Sequence, residues 1–433
     1  MFNLIQGVND LMKQIAVLFS GQGSQYAGMG KQLHDRHDGV KKLFAYASDI
    51  LGMDMARLCF EAKIDELSRT ENTQPALLLC SVAAYRSFRS VTGLTPAYLA
   101  GHSLGELSAL VCAGALSFED GLQLARLRGL AMSRCSVAGG MGMSAVTKVD
   151  RSVVEELLPT IDGFGSEIVA ANFNAPSQVV LSGTLAGLER AGESLKKLGA
   201  NIIPLKVSGP FHSPYMRHAA EELAAGLAAV TINPCQIPVV ANVTARPHGD
   251  GEAIVDALVR QLTSPVLWSD TLQYLQGQGV EVYIEAGPRD VLKRLVQSNI
   301  PDASAYAVDT QGDVESIQVA LSADIRSAKD WPGVVAKCMA IAVCTPNSNW
   351  NEAEYQQGVI EPYRELKALQ DQLEQIMADP DSTQVKRALQ LLSRIFTTKG
   401  TPPEEMRMRY LQLAEGLLDK APIGDYLADV SAN

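Results

Sequence analysis

The sequence predicts an α/β fold carrying a smaller inserted subdomain and a helical C-terminal region. Three observations lead there. Short apolar runs end in glycine-rich turns at residues 15–25 and 97–105. Residues 143–207 follow a β-α-β-β-α-β order. Beyond residue 309 only helical periodicity remains.

Taken in order, Ile15-Ala-Val-Leu-Phe19 reads as a buried strand and Ser20-Gly-Gln-Gly-Ser-Gln25 as the turn it feeds. Residues 1–14 lack a basic region followed by an apolar core, so they read as an N-terminal extension rather than a secretory signal. Ala97-Tyr-Leu-Ala100 is a second strand that runs into Gly101-His-Ser-Leu-Gly105, after which Leu104, Leu107 and Val111 recur at helical spacing. Strand, tight turn, helix presents active groups at the carboxyl end of a sheet. Between 143 and 207 the expected elements are a strand at Ser144–Val146, a helix over Arg151–Leu158, and strands over Glu167–Phe173 and Gln178–Leu181. A helix over Leu185–Leu198 and a strand over Asn201–Val207 complete a ferredoxin-like unit. The larger pattern resumes with strands at Val239–Val243 and Val282–Glu285, closed by the turn Ala286-Gly-Pro288.

Four helices are expected after that. Val314, Ile317, Leu321 and Ile325 mark the first, halted near Trp331-Pro332; Leu366, Leu369, Leu373 and Ile376 mark the second; Val385, Leu389, Leu392 and Phe396 mark the third. Thr401-Pro-Pro-Glu404 reads as a capping box with proline at the first helical position, opening the fourth. The expected organisation is thus an extension at 1–14, a main domain at 15–309 enclosing the small subdomain at about 143–207, and a helical region at 310–433.

Bulk properties narrow the function. A chain of 433 residues with 47% hydrophobic and 20% charged residues can bury two or three domain cores. Its net charge of −11 argues against nucleic-acid binding, and an acidic partner would need a local basic patch. Lys196, Lys197, Lys206, Arg289, Lys293 and Arg294 are the candidates. No apolar run approaches the roughly 20 residues that span a bilayer. Seven scattered cysteines without metal-ligand spacing suit a reducing cytoplasm and point to no metal site.

Gly101-His-Ser-Leu-Gly105 matches the G-x-S-x-G nucleophile elbow, in which glycines let the backbone turn sharply and expose Ser103 above a helix N-terminus. A serine hydroxyl needs a base. Of the six histidines, His212 is the best placed, because it follows Val207-Ser-Gly-Pro-Phe211 at a strand end and precedes Ser213-Pro214. A structural imidazole is the alternative at this position. Arg128, flanked by Arg126 and Arg134, reads on its own as a solvated helix arginine.

Together these segments resemble the malonyl-coenzyme A:acyl carrier protein transacylases of fatty acid and polyketide synthesis. The resemblance covers about Ile15 to Asp309. Its motifs, in order, are Phe19-Ser-Gly-Gln-Gly-Ser-Gln25, Thr73-Gln-Pro-Ala76, Gly101-His-Ser-Leu-Gly-Glu106, Arg128-Gly129, Asn172-Phe-Asn-Ala-Pro-Ser-Gln178, Gly209-Pro-Phe-His-Ser213, Asn242-Val243, Gln261-Leu262 and Glu285-Ala-Gly-Pro288. It implies an α/β-hydrolase-like large subdomain and a ping-pong transfer without metal or bound cofactor. Malonyl-CoA is the implied donor and the phosphopantetheine thiol of an acyl carrier protein the acceptor. Ser103 is then the nucleophile, His212 the base, and the carbonyl of Gln261 the group that orients the imidazole. The amides of Gln22 and Leu104 form the oxyanion hole, Arg128 grips the malonyl carboxylate, and Phe211 leaves no room for an α-methyl branch.

Two rival functions remain. A hydrolase of the same fold would release acyl groups from stalled carrier proteins, but such relatives lack the arginine found at 128. Alternatively, the helices after residue 309 form an interaction module. That region is the main departure from the family, and leaves polyketide and fatty acid pathways both open.

Overall fold

A computed structural model describes residues 14–136, 139–207, 209–321, 333–376, 380, 382–414, 423–424 and 426–427. Most of the expected N-terminal extension, Ser208, Ile325 and the helix stop at Trp331-Pro332 lie outside these residues. By packing, the chain divides into two compact units, Met1–Ser87 with Thr95–Ile317 and Phe88–Leu94 with Gln318–Asn433.

The first unit holds nine strands among the described residues: β1 (Gln14–Phe19), β2 (Tyr98–Gly101), β3 (Met141–Thr147), β4 (Ile168–Ala175), β5 (Gln178–Thr184), β6 (Asn201–Pro204), β7 (Val239–Val240), β8 (Val280–Ala286) and β9 (Ser304–Val308). Five form a parallel sheet in the order β7-β2-β1-β8-β9. Helices cover such a sheet on both faces, which is why β1 is a continuous apolar run, buried from Ile15 to Phe19. Ala16, Leu18, Ala100 and Tyr283 pack on one face against Trp268, Leu272, Leu292 and Val296. β1 and β2 are in register from Ala16↔Tyr98 to Phe19↔Gly101, so the glycine-rich turn and the elbow emerge side by side.

The other four strands form an antiparallel sheet, β4-β5-β3-β6, with helices Arg151–Leu157 and Leu185–Lys196 against it. This is the ferredoxin-like arrangement expected from the element order. A bridge between Asn172 and Val266 and an ion pair between Arg151 and Asp270 at 2.6 Å tie it to the large subdomain.

Some elements differ from the sequence reading. The strand expected over Val239–Val243 is only two residues long, because Ala241 begins a turn in which its carbonyl accepts from the Ala245 amide and its own amide donates to Arg246 O. β9, which the reading did not mark, is a short edge strand beside β8. The first unit also runs past Asp309 to Ile317. The Asp313 carboxylate caps the start of helix Gln311–Ala320, and Val314 and Ile317 are buried.

In the second unit, helices Val334–Cys344, Glu361–Ile376, Ser382–Lys399 and Pro403–Ala414 share one buried core.

 That core matches the expected second and third stripes: Leu366 and Leu373 from one helix face Val385, Leu389, Leu392 and Phe396 from the next. Helix Val334–Cys344 escaped the reading because it is apolar on nearly every side and shows no amphipathic period. The capping box is also corrected. The fourth helix starts at Pro403, and Thr401 Oγ1 has no hydrogen-bond partner. Thr401 is already committed to ending the preceding helix, where Gly400 turns left-handed (φ 67°) and the Thr401 amide donates to Phe396 O at 3.0 Å.

Candidate active site

The elbow is built by close packing. A Cβ at Gly101 would lie 1.9 Å from the Gly105 carbonyl carbon, and one at Gly105 would lie 2.1 Å from Phe19 O, so both positions require glycine. Ser103 between them has φ 53°, a left-handed conformation that a non-glycine residue adopts at a cost. The Asn242 side chain holds the turn by accepting from Ser103 N at 2.7 Å and donating to Gly101 O at 2.7 Å.

His212 meets Ser103 from a second strained loop, where its own φ is 55°. Its Nε2 lies 2.8 Å from Ser103 Oγ and its Nδ1 2.8 Å from the carbonyl oxygen of Gln261. That carbonyl sits at the C-terminus of helix Gly251–Gln261, where helix carbonyls lack intrahelical donors. The carbonyl can only accept, so Nδ1 carries the proton and Nε2 is left to accept from the serine hydroxyl. Burial, and then the nearby Arg128 charge, pull the His212 pKa down to about 3, which keeps the imidazole neutral.

Arg128 is not a solvated helix residue, as its charged surroundings in the sequence suggested. It is 2% exposed, on a helix (Phe118–Cys135) that runs close to helix Thr70–Thr92 because Gly129 has no side chain. Its guanidinium donates to Gln74 Oε1 at 2.9 Å, Gln261 Oε1 at 2.9 Å and Ser103 Oγ at 3.1 Å. All three acceptors are neutral, and no carboxylate lies within ion-pair distance among the described residues. Burial lowers its pKa to about 10, still high enough to keep the charge.

Gln22 lies on the loop after β1. Gly21 lets that loop approach the elbow, since a Cβ there would come within 2.5 Å of His102 O. Among the described residues neither the Gln22 nor the Leu104 backbone amide donates to a protein acceptor, while the Gln22 side chain donates to Thr70 Oγ1 at 3.3 Å. Phe211 is buried directly before the imidazole. His102, the elbow's other histidine, turns away to Asn174 Oδ1 at 2.9 Å.

Ser103, His212, Arg128 and Gln261 are therefore brought together. Sequence reasoning quoted Gln74, Glu106 and Asn242 inside motifs but gave them no part, although all three are fully buried around this cluster. Their signal was a polar side chain within an apolar run, as in Gln74-Pro-Ala-Leu-Leu-Leu79.

An elbow serine, a neutral imidazole steadied by a carbonyl, and an unpaired buried cation can together form and break an acyl ester. Fold and site thus define a class of α/β proteins equipped for covalent acyl chemistry. Comparison with known proteins specifies it further. Residues 17–325 match the model of the acyl transferase domain. A malonyl CoA-acyl carrier protein transacylase of Bacillus subtilis strain 168 is 42% identical over 311 residues, covering 72% of this chain and 97% of that protein. Another of the same description from Bacillus subtilis is 32% identical over 398 residues, covering 92% of this chain and 100% of that one. A solved complex of a type II polyketide synthase acyl-carrier protein with its malonyl-transacylase contains a chain 39% identical to this one, with a TM-score of 0.67, covering 70% of this chain and 98% of that one. The chain belongs to the acyl transferase family.

Proposed function

We propose that this chain transfers a malonyl group from malonyl-CoA to the phosphopantetheine thiol of an acyl carrier protein, through an ester on Ser103. The observation that carries the reading is Arg128, a buried cation with only neutral partners, hydrogen-bonded to the candidate nucleophile itself. Such a charge is costly until an anion joins it, and an acyl group bearing a carboxylate supplies that anion.

In the first half-reaction Ser103 Oγ attacks the thioester carbonyl while His212 Nε2 takes its proton. The oxyanion is held by the amides of Gln22 and Leu104. Collapse expels the CoA thiolate, which recovers the proton from the imidazolium and leaves malonyl-Ser103. In the second, His212 deprotonates the phosphopantetheine thiol, sulfur attacks the ester, and collapse returns the proton to Ser103 Oγ. Gln261 holds the imidazole through its carbonyl, and Phe211 closes the space an α-methyl branch would need. The catalytic domain is residues 15–309 together with the short stretch to Ile317 that packs in the same unit, and the helices beyond it are an added region. Seven free cysteines suit a cytoplasmic setting, and among the described residues no helix is long and apolar enough to cross a membrane.

The test is intact-protein mass after incubation with malonyl-, methylmalonyl- and acetyl-CoA, followed by carrier protein. One malonyl adduct that disappears on adding carrier protein, and never forms on Ser103→Ala, is expected. A stable malonyl adduct on Ser103→Ala would overturn the reading.

A further inference from the structure

Glu106, one residue past the elbow glycine, is a fully buried carboxylate that the mechanism leaves unused. Its Oε2 accepts from Gln261 Nε2 at 2.7 Å and from the Asn242 amide at 3.0 Å. Its Oε1 lies 2.9 Å from His248 Nε2 without hydrogen-bond alignment, and both side chains are 1% exposed.

Gln261 is the residue on which two parts of the site meet. Its backbone carbonyl receives His212 Nδ1, and its side-chain Oε1 receives Arg128. An amide has one donor end and one acceptor end, and a guanidinium is a donor only. Gln261 therefore serves Arg128 only while its Nε2 points away from the guanidinium. Glu106 Oε2 is the charged acceptor at the far end, aided by Ser103 O at 3.0 Å from the same Nε2. Rotation of the amide by half a turn would set Nε2 against the guanidinium and Oε1 against the carboxylate, with both contacts repulsive.

We propose that Glu106 is a positioning residue for acyl-group selection: its Oε2 locks the Gln261 amide in the one orientation that aims Arg128 at the carboxylate of the acyl donor. The inference deepens the malonyl-transfer reading and rests on it. Glu106 touches no reacting atom; besides the hydrogen bond to Gln261 it attracts Arg128 by charge alone, an attraction that Glu106→Gln removes while keeping the bond.

The test compares Glu106→Met with Glu106→Gln. Methionine keeps the length and removes both oxygens. Glutamine can keep one oxygen where Oε2 stands, accepting from Gln261 and Asn242 alike. Acylation rates are measured with malonyl-CoA and acetyl-CoA, in the wild-type and in the Arg128→Ala background. Glu106→Met should lower the malonyl-to-acetyl ratio about tenfold, the worth of one buried hydrogen bond. Glu106→Gln should hold that ratio within about threefold of wild type, the lower end of the same range. In the Arg128→Ala background neither substitution should move it. A merely structural Glu106 would lower both rates together, and that result, or equal loss of selectivity in the two variants, overturns the proposal. If Glu106→Met does not fold, Glu106→Asp replaces it, since a carboxylate one methylene shorter cannot keep the contact with Gln261. Failure of both to fold also overturns the proposal, because Glu106 would then be required by the fold. A wild-type protein that forms no malonyl ester sinks the malonyl reading and this inference together. A malonyl ester with an unaltered ratio in Glu106→Met sinks this inference alone.

Discussion

Replacing Arg128 with alanine separates malonyl transfer from general acyl transfer. In the free protein the guanidinium makes bonds of 2.9, 2.9 and 3.1 Å to neutral oxygens. A malonyl carboxylate would exchange two of them for charge-assisted bonds to a guanidinium that is only 2% exposed. Each exchange is worth about 1.5 kcal/mol, so the pair is worth about 3 kcal/mol, or roughly a hundredfold in rate. Acetyl-CoA brings no carboxylate and gains none of this. It also meets a serine whose oxygen already accepts from Arg128, so acetyl transfer should hold steady or rise. The assay is the rate of ester formation by mass spectrometry with each donor, reported as the ratio of the two, because partial unfolding lowers both together. Arg128→Lys should recover only part of the malonyl rate, since an ammonium keeps the charge without the planar fork. An Arg128→Ala protein with an unchanged ratio would refute the reasoning: the arginine would then be a packing residue and the malonyl assignment would lose its physical basis.

Four further outcomes are expected. With the His212 pKa depressed to about 3, the base stays neutral through mild acid, so kcat/KM for malonyl-CoA should stay level from pH 8 to about pH 5; a limb centred near 6.5 contradicts the buried, cation-facing imidazole. Burial raises the Glu285 pKa to about 7, above its unfolded value, so its contribution to stability is complete in acid and is lost as pH rises through 7. Glu285→Gln should flatten that dependence, read from Tm between pH 5 and 8, and an unchanged slope rules the group out. Gly21→Ala places a Cβ 2.5 Å from His102 O and should push the Gln22 amide out of reach. Losing one oxyanion donor costs about a hundredfold in kcat, and a normal kcat would remove Gln22 from the oxyanion hole. Reversing the charge of Lys196 and Lys197 together should raise KM for carrier protein but not for malonyl-CoA; equal KM values for carrier protein dismiss that patch.

The central strands of the parallel sheet, the inserted subdomain and the elbow are legible in the sequence alone. Each is written in local patterns: an apolar run before a glycine turn, strand and helix periods in a fixed order, and glycines two residues either side of a serine. The roles of Arg128 and Gln261 were suggested by family resemblance, not by their neighbours in sequence. Reading outward from Arg126 and Arg134 places Arg128 in solvent, whereas the close helix approach at Gly129 buries it beside Gln74. Only the tertiary structure shows that Glu106, Asn242 and Gln261 form one network beneath the nucleophile, with the Gln261 carbonyl that the resemblance implied lying 2.8 Å from His212 Nδ1. Those partners are more than a hundred residues apart for Glu106 and either amide. Hydrogen bonds across such distances depend on the packing of separate elements, and no local period or propensity encodes them.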